Sequence, residues 1–393
     1  RLGLNWKEMI YDEKLIEVLK MTQDLPNLKH LEILPTFTRW ENKNRWSRDE
    51  IYYETAVLDY LGQLSDLITF VVIPSERVGL TNTELIIWAS SLKNHRNLKK
   101  LGISVYSSED KSGESNIEDN DALWDGLGQL SNLRHFSLEY QHPSFPAPGS
   151  FAKNFSKLRL LQSLSLKFQK IVNFDHQMWE SIISSIKNFP TLENLALSLS
   201  RIPSTLVKGL ATLPSSLEVL SSLQQLYLNL TDVEDLQTNI IDDIAQSLEK
   251  CQNITDLTLQ IINSRQDPIT QTNLLKMMMK KASTLEYLDF CTDIFEKAGL
   301  VLLGKYLEKF SRLKKFILDV SKTPFTKAEL TEFCEALNVH PTLEYFELAV
   351  MQGKHMSGAD EIIDQKIKSM KTVKMLVATQ ISRGGHFTQY HYN

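Results

Sequence analysis

The sequence predicts an α/β solenoid, a stack of units in which each helix is followed by a short parallel strand. Three observations lead to this fold class. A leucine motif, with apolar residues at offsets 0, +3 and +5, occurs twelve times in the 393 residues. Its spacing is nearly constant, since Leu192, Leu223, Ile254 and Leu285 lie 31 residues apart. Within each unit the hydrophobic periodicity changes from that of a helix to that of a strand. A fixed period in this range is typical of repeat proteins, whose units pack on their neighbours.

The leucine motifs define about twelve repeats and as many expected strands, at intervals of 28 to 39 residues. They begin at Leu28, Leu67, Leu98, Leu133, Leu161, Leu192, Leu223, Ile254, Leu285, Leu313, Leu343 and Val373.

Residues 232–263 show how one repeat is built. Apolar residues in the first half recur at steps of three and four, which predicts an amphipathic helix. In the second half Leu257, Leu259 and Ile261 alternate with polar residues, which predicts a strand. A helix between successive strands is the crossover that a parallel pair requires. We therefore expect all the strands of the array to be parallel.

The elements follow in order along the chain. Residues 1–27 predict an N-terminal capping helix, residues 28–380 the repeat array, and residues 381–393 a polar C-terminal tail. Inside the array, Thr326 and Glu329 have the spacing of a capping box at a helix start.

Two segments lengthen their repeats. Residues 107–121 are polar and acidic and predict a loop, while residues 141–150 are too rich in proline for a helix. Both are interpreted as loop insertions on one rim, with a partner-specific contact as the alternative.

A helix is about 10 Å wide and neighbouring strands lie about 4.8 Å apart, so the stack must bend into a horseshoe. The helices would lie on its convex side and the parallel sheet on its concave side. The leucine motif after a helix resembles the leucine-rich repeat of ribonuclease-inhibitor-like proteins. That family usually has Asn or Cys three residues after the last leucine, whereas this chain has neither there. In this respect the chain resembles divergent leucine-rich repeat proteins of ciliated protozoa.

Composition excludes several classes of partner. The net charge is −5 and the isoelectric point about 6.0, so we expect neither nucleic acid nor an anionic membrane surface as a partner. No stretch has the roughly 18 apolar residues of a membrane helix, so no membrane insertion is expected. Three scattered cysteines suggest a reducing compartment, and we predict a cytoplasmic protein.

No motif for catalysis is present in the sequence. It lacks a phosphate-binding glycine loop, a dinucleotide fingerprint, a zinc-protease helix and a nucleophile elbow. We therefore predict that the chain is not an enzyme and has no cofactor and no metal site.

The concave sheet face carries the candidate site. Side chains at offsets +2, +4 and +6 point into it, and in repeats nine to eleven they combine two tyrosines with three acids. Tyrosine beside acid suits a basic peptide or a basic protein surface, although exposed strands also need polar β-formers. The candidate partner-binding residues are Tyr287, Asp289, Lys315, Asp319, Tyr345, Glu347 and Tyr227.

These observations predict a non-catalytic scaffold that binds a protein partner through its concave face, as a subunit of a larger assembly. The alternative is the targeting or substrate-recognition half of a longer enzyme or enzyme regulator, such as a kinase or a ubiquitin-ligase adaptor. The resemblance to ciliate proteins implies a ciliary or cytoskeletal location.

Overall fold

A computed structural model of the chain describes most of the repeat array. The described residues are 2–6, 29–35, 69–72, 92–106, 121–141, 148–169, 171, 176–202, 207–233, 236, 238–262, 268–292, 299–320, 326–351, 375–381 and 387–392. The chain divides into two compact units, Arg1–Leu192 and Glu193–Asn393.

The strands of unit 1 form a parallel sheet in chain order. Each strand pairs in parallel with the next, as expected when a crossover separates them. The strands are β1 (Leu2–Trp6), β2 (His30–Pro35), β3 (Thr69–Val72), β4 (Lys100–Tyr106), β5 (His135–Gln141) and β6 (Ser163–Gln169).

Aromatic side chains from the helices of unit 1 fill its core. Its described helices are α1 (Asp121–Gly128), α2 (Pro148–Phe155) and α3 (His176–Ser185), followed by a 3₁₀ turn at Ile186–Asn188. The Phe155 ring contacts that of Phe189 edge-on at 4.9 Å, and Phe168 contacts Trp179 edge-on at 5.1 Å. Such edge-to-face pairs add about 0.5–1.5 kcal/mol beyond burial.

Unit 2 continues the same pattern and ends differently. Its first seven strands pair in parallel in chain order, and β14 pairs antiparallel with β13. The strands are β7 (Asn194–Ser200), β8 (Gln225–Thr231), β9 (Asp256–Ile262), β10 (Tyr287–Thr292), β11 (Lys315–Asp319), β12 (Tyr345–Met351), β13 (Met375–Ile381) and β14 (Phe387–Tyr392). β14 supplies backbone partners to one side of β13 that would otherwise be a sheet edge.

Neighbouring helices of unit 2 pack against one another. They are α4 (Leu213–Glu218), preceded by a 3₁₀ turn at Lys208–Thr212, then α5 (Thr238–Lys250), α6 (Pro268–Lys281), α7 (Gly299–Leu307) and α8 (Lys327–Asn338). The capping box predicted at α8 is confirmed, because the Thr326 hydroxyl accepts from the Glu329 backbone N–H and the Glu329 carboxylate accepts from Thr326 N–H.

The leucine motifs are buried, as predicted. In every repeat from Leu98 to Leu348 the residues at offsets 0, +3 and +5 are at most 2% exposed. A further buried position lies three residues before each motif. It is held by His95, Leu130, Leu158, Phe189, Leu220, Cys251, Ala282, Phe310 and His340. Each repeat therefore contributes four residues to the core at this end, one more than the motif contains.

The predicted fold class is confirmed, since parallel strands alternate with helices and every expected strand position from β2 to β13 carries a strand. Two expectations about single elements were wrong. Leu2–Trp6 is a strand, so the capping helix predicted over 1–27 does not start at residue 1, and residues 7–28 lie outside the described residues. The second wrong expectation is that 141–150 contains no helix. α2 begins at Pro148, because a proline in the first turn of a helix has no N–H that needs a hydrogen-bond partner.

The remaining predicted boundaries are not decided. The loop predicted at 107–121 lies outside the described residues except for Asp121, which begins α1. The tail predicted at 381–393 contains β14, and the boundaries 1–27, 28–380 and 381–393 stay predictions.

Candidate functional site

The candidate residues lie on one face of the unit 2 sheet. Side chains along β11 alternate, because Phe316 and Leu318 are buried while Lys315, Ile317 and Asp319 are partly exposed. β10 and β12 show the same alternation in their first four residues. We call the face that carries Tyr287, Lys315 and Tyr345 the open face.

Strand register arranges the open face of β10, β11 and β12 in rows. In the first row Lys315 lies between Tyr287 and Tyr345. In the second row Ile317 lies between Asp289 and Glu347. Asp319 is in the third row. The structure therefore brings together six of the seven residues predicted from the sequence.

Lys315 and the two tyrosines make cation–π contacts. The Lys315 Nζ lies 4.6 Å from the centroid of the Tyr345 ring and 5.2 Å from that of the Tyr287 ring. Both distances are inside the roughly 6 Å within which the quadrupole of an aromatic ring attracts a cation. We call these three residues the Tyr–Lys–Tyr cluster.

Carboxylates surround this cluster. The Tyr345 hydroxyl donates a hydrogen bond to Glu347 Oε2 at 2.7 Å. Burial and the nearby Glu347 carboxylate raise the pKa of Tyr345 to about 12. The hydroxyl is thus held as a hydrogen-bond donor, which orients the ring above Lys315.

Asp289 lies in an unfavourable place for a negative charge. Burial and, to a smaller extent, the charges of Glu347 and Asp319 raise its pKa to about 6, against the opposing effect of Lys315 and a hydrogen bond from Tyr287. On the open face of β10 to β12 there are three carboxyl groups, Asp289, Asp319 and Glu347, and one cation, Lys315. The formal charge is −3 + 1 = −2, so this face has an excess of negative charge.

Tyr227 belongs to a different network. Its hydroxyl donates to Gln260 Oε1 at 3.2 Å and accepts from Asn229 Nδ2 at 3.3 Å. Tyr227 is on β8, two strands from Asp289 in the same row, with Thr258 of β9 between them. These neighbours are neutral, so Tyr227 is on the open face but outside the acidic cluster.

Asp256 was missed by the sequence analysis as a candidate. Strand register puts it beside Tyr287 in the first row, and its charge contributes to raising the pKa of Tyr287. Its Oδ2 accepts a hydrogen bond of 2.6 Å from the Thr255 hydroxyl. The signal was present in the sequence, because Asp256 and Tyr287 hold the same offset in successive repeats.

A groove of about 500 Å³ lies at the amino ends of β11 and β12. Its charges are largely balanced, since Glu286 pairs with both Arg312 and Lys314. This pairing holds the pKa of Glu286 below its ordinary value. The groove is lined by Glu286, Ser311, Arg312, Lys314, Pro341, Thr342, Leu343 and Glu344.

Two other kinds of site are absent from the part of the chain that the structure describes. No three His, Cys, Asp or Glu side chains come together there in a way that could hold a metal ion. None of the helices in the described ranges has the length and apolar character needed to cross a membrane.

Comparison with known proteins gives similarity to solved structures only. No protein-family model matches the chain, and no curated protein matches it. The crystal structure of the leucine-rich repeat-containing protein LegL7 from Legionella pneumophila aligns with 84% of this chain and 88% of its own, at 13% sequence identity and a TM-score of 0.35. The repeat architecture described above is established by the strands, their register and the buried leucines, independently of this similarity.

Proposed function

We propose that the chain is a protein-binding scaffold whose open face on β10 to β12 binds a basic segment of a partner protein. One observation carries the proposal: two partly exposed tyrosine rings lie among three carboxyl groups with a single lysine between them. Rings supply buried contact area in an interface, and unbalanced negative charge attracts a partner of opposite sign.

The arrangement is suited to selective binding because its parts are held in place. The buried motif residues of β11 and β12 beneath it are completely covered, and we call such residues the core rungs. They are Phe316, Leu318, Phe346 and Leu348. Tyr345 is fixed by its hydrogen bond to Glu347. A rigid aromatic anchor loses little conformational entropy when a partner binds.

Selection from a random peptide library displayed on phage would test this proposal, with the purified chain as the immobilised target. We expect the selected peptides to be enriched in lysine and arginine. The double variant Tyr287→Ala with Tyr345→Ala should lose these peptides at least tenfold in affinity, because it removes both rings and leaves the core rungs intact.

The matched control is Ser137→Ala with Ser165→Ala, which alters paired residues on the same type of face in β5 and β6. It should retain the affinity of the unmodified chain. Selection of peptides without basic enrichment, or equal binding by both double variants, would refute the proposal.

The finer points of the functional prediction rest on the sequence alone. Membership of a larger assembly, the cytoplasmic, ciliary or cytoskeletal location, and the alternative of a targeting half of a longer enzyme stay predictions.

A further inference from the structure

We infer that Tyr287 and Tyr345 form a binding site for one alkylammonium group, that Lys315 occupies this site in the free protein, and that a partner lysine replaces it. This inference rests on the proposed function, because it specifies which chemical group of a basic partner the open face takes. Lys315 then acts as a removable internal occupant.

The spacing of the strands sets the size of the site. β10 and β12 are both neighbours of β11, so their backbones are about 10 Å apart at the usual strand spacing of about 4.8 Å. The Lys315 ammonium lies between their tyrosines, 5.2 Å from one ring centroid and 4.6 Å from the other. A gap of this width holds one cation in contact with both rings.

Lys315 is a suitable occupant to be displaced. It reaches the rings from β11 on a flexible four-carbon side chain, is partly exposed, and can extend to solvent when its ammonium leaves. Moving it costs the two cation–π contacts. An incoming ammonium group regains the same contacts.

The charge balance also favours a second cation. With Lys315 in place the open face of β10 to β12 still has a formal charge of −2. The Asp289 and Glu347 carboxyl groups lie in the next row, on the same strands as the two tyrosines. The partner's ammonium therefore enters among negative charges.

Lys167 on β6 provides a matched comparison. It is a partly exposed lysine on a strand of unit 1, and it pairs with Glu139 on the neighbouring strand. Its register neighbour on β5 is Glu139 and not a tyrosine. Removing Lys167 should free a carboxylate but create no aromatic site.

Removing Lys315 should open the site, and NMR titration can detect this. The probe is n-butylammonium, with n-butanol as its neutral counterpart, and the readout is the ring signals of Tyr287 and Tyr345 in tyrosine-labelled protein. Lys315→Ala should bind n-butylammonium at least tenfold more tightly than the unmodified chain and show no saturable response to n-butanol. Lys167→Ala should behave as the unmodified chain does.

Three further variants keep the test decisive. Lys315→Arg should keep the site closed, because guanidinium is also a cation that packs on rings, and Lys315→Ala with Tyr345→Ala should lose the gained binding. Lys315→Gln repeats the test if the alanine variant folds poorly. The inference would be overturned if Lys315→Ala and the unmodified chain had equal dissociation constants for n-butylammonium. It would also be overturned if Lys315→Ala responded equally to n-butylammonium and n-butanol.

The result can be separated from that of the peptide selection. If Lys315→Ala binds n-butylammonium but the unmodified chain selects no basic peptides, the cation site stands and the docking proposal fails. If basic peptides are selected and Lys315→Ala gains nothing, the docking proposal stands and the role of Lys315 as occupant is refuted.

Discussion

Two regions with the same backbone arrangement present different surfaces. On the partly exposed face of β5 and β6 in unit 1, Ser137 pairs with Ser165, and Glu139 pairs with Lys167 on the next strand. On β10 to β12 the equivalent positions hold two tyrosines and three carboxyl groups around Lys315. In both regions the alternate residues of each strand are buried in the core.

The comparison separates what the scaffold needs from what the surface does. A balanced ion pair between strands contributes little to folding stability, because exposed pairs typically stabilise by about 0–1 kcal/mol. On β10, burial and the neighbouring carboxylates raise the pKa of Asp289, so its charged form disfavours the folded state. Strongly perturbed pKa values are concentrated at functional sites. The difference supports the proposal that β10 to β12 bind the partner.

The largest expected effect on stability comes from a buried motif residue, a kind of residue that both regions contain. Phe316 is completely buried and stacks on Phe346 at 5.6 Å between centroids. Phe316→Ala should lower the free energy of unfolding of the region by about 3–5 kcal/mol, because it removes a large side chain and leaves a cavity. Denaturant unfolding followed by circular dichroism measures this change.

The control for that variant is Ile317→Ala, the next residue along the strand, whose side chain is partly exposed on the open face. It should cost under about 1 kcal/mol. Similar losses for the two variants would mean that the assignment of buried and open faces is wrong.

The second prediction is that Asp289→Asn stabilises the protein at neutral pH. Its pKa is about 6 in the folded protein against 3.8 ordinarily, so the folded state disfavours the charged form. The gain should be about 1–3 kcal/mol, because one pKa unit corresponds to about 1.4 kcal/mol and partial exposure screens the charges.

The sign of this effect depends on pH. Between pH 3.8 and about 6 the folded protein binds the proton more tightly, so the wild-type chain loses stability relative to the variant as pH rises through that window. The difference in the free energy of unfolding between the two proteins should reach its full value above pH 6 and be absent below pH 3.8. Unfolding curves for both proteins at pH 4 and pH 7 measure it, and a constant difference would contradict the account.

The third prediction concerns the binding of a selected basic peptide that lacks histidine. Its affinity for the unmodified chain should fall about threefold to tenfold between pH 7 and pH 5, because Asp289 takes up a proton near pH 6 and one attractive charge is lost. Isothermal titration calorimetry measures the affinity. Asp289→Asn should bind more weakly at pH 7 and show little change over the same range, whereas an equal pH response would assign it to another group.

The smallest expected effect concerns the balanced region. Lys167→Ala removes the ion pair with Glu139, and the Lys167 side chain is 40% exposed. The loss should be within about 1 kcal/mol and should shrink at high salt. Thermal unfolding at low and high salt measures it, and a loss comparable with that of Phe316→Ala would remove the contrast between the regions.

The sequence predicts the fold well because burial follows periodicity. The motif residues Leu257 and Leu259 are at most 1% exposed, and the alternation correctly assigns Tyr287 and Lys315 to the other face. The motif did not include the buried position before it, because His95 and His340 interrupt its apolar character. Both histidines are nevertheless buried, at 3% and 0% exposure.

Part of the candidate site also lay beyond sequence reasoning. Offsets placed Tyr287, Lys315 and Tyr345 on one face, but the contact of Lys315 with both rings depends on strand register and on side-chain conformation. The raised pKa of Asp289 depends on burial and on two carboxylates from other strands. Tyr227 has the same residue type and face, yet its neighbours put it in a neutral network.

Photo-crosslinking from within each region tests the central claim most directly. A benzophenone amino acid replaces Ile317, which lies between Asp289 and Glu347, or Ser165, which lies beside Ser137. With a selected basic peptide bound, mass spectrometry should find the peptide attached at position 317 and not at position 165. Attachment at 165 alone, or at both positions equally, would show that the aromatic and acidic cluster does not bind the partner.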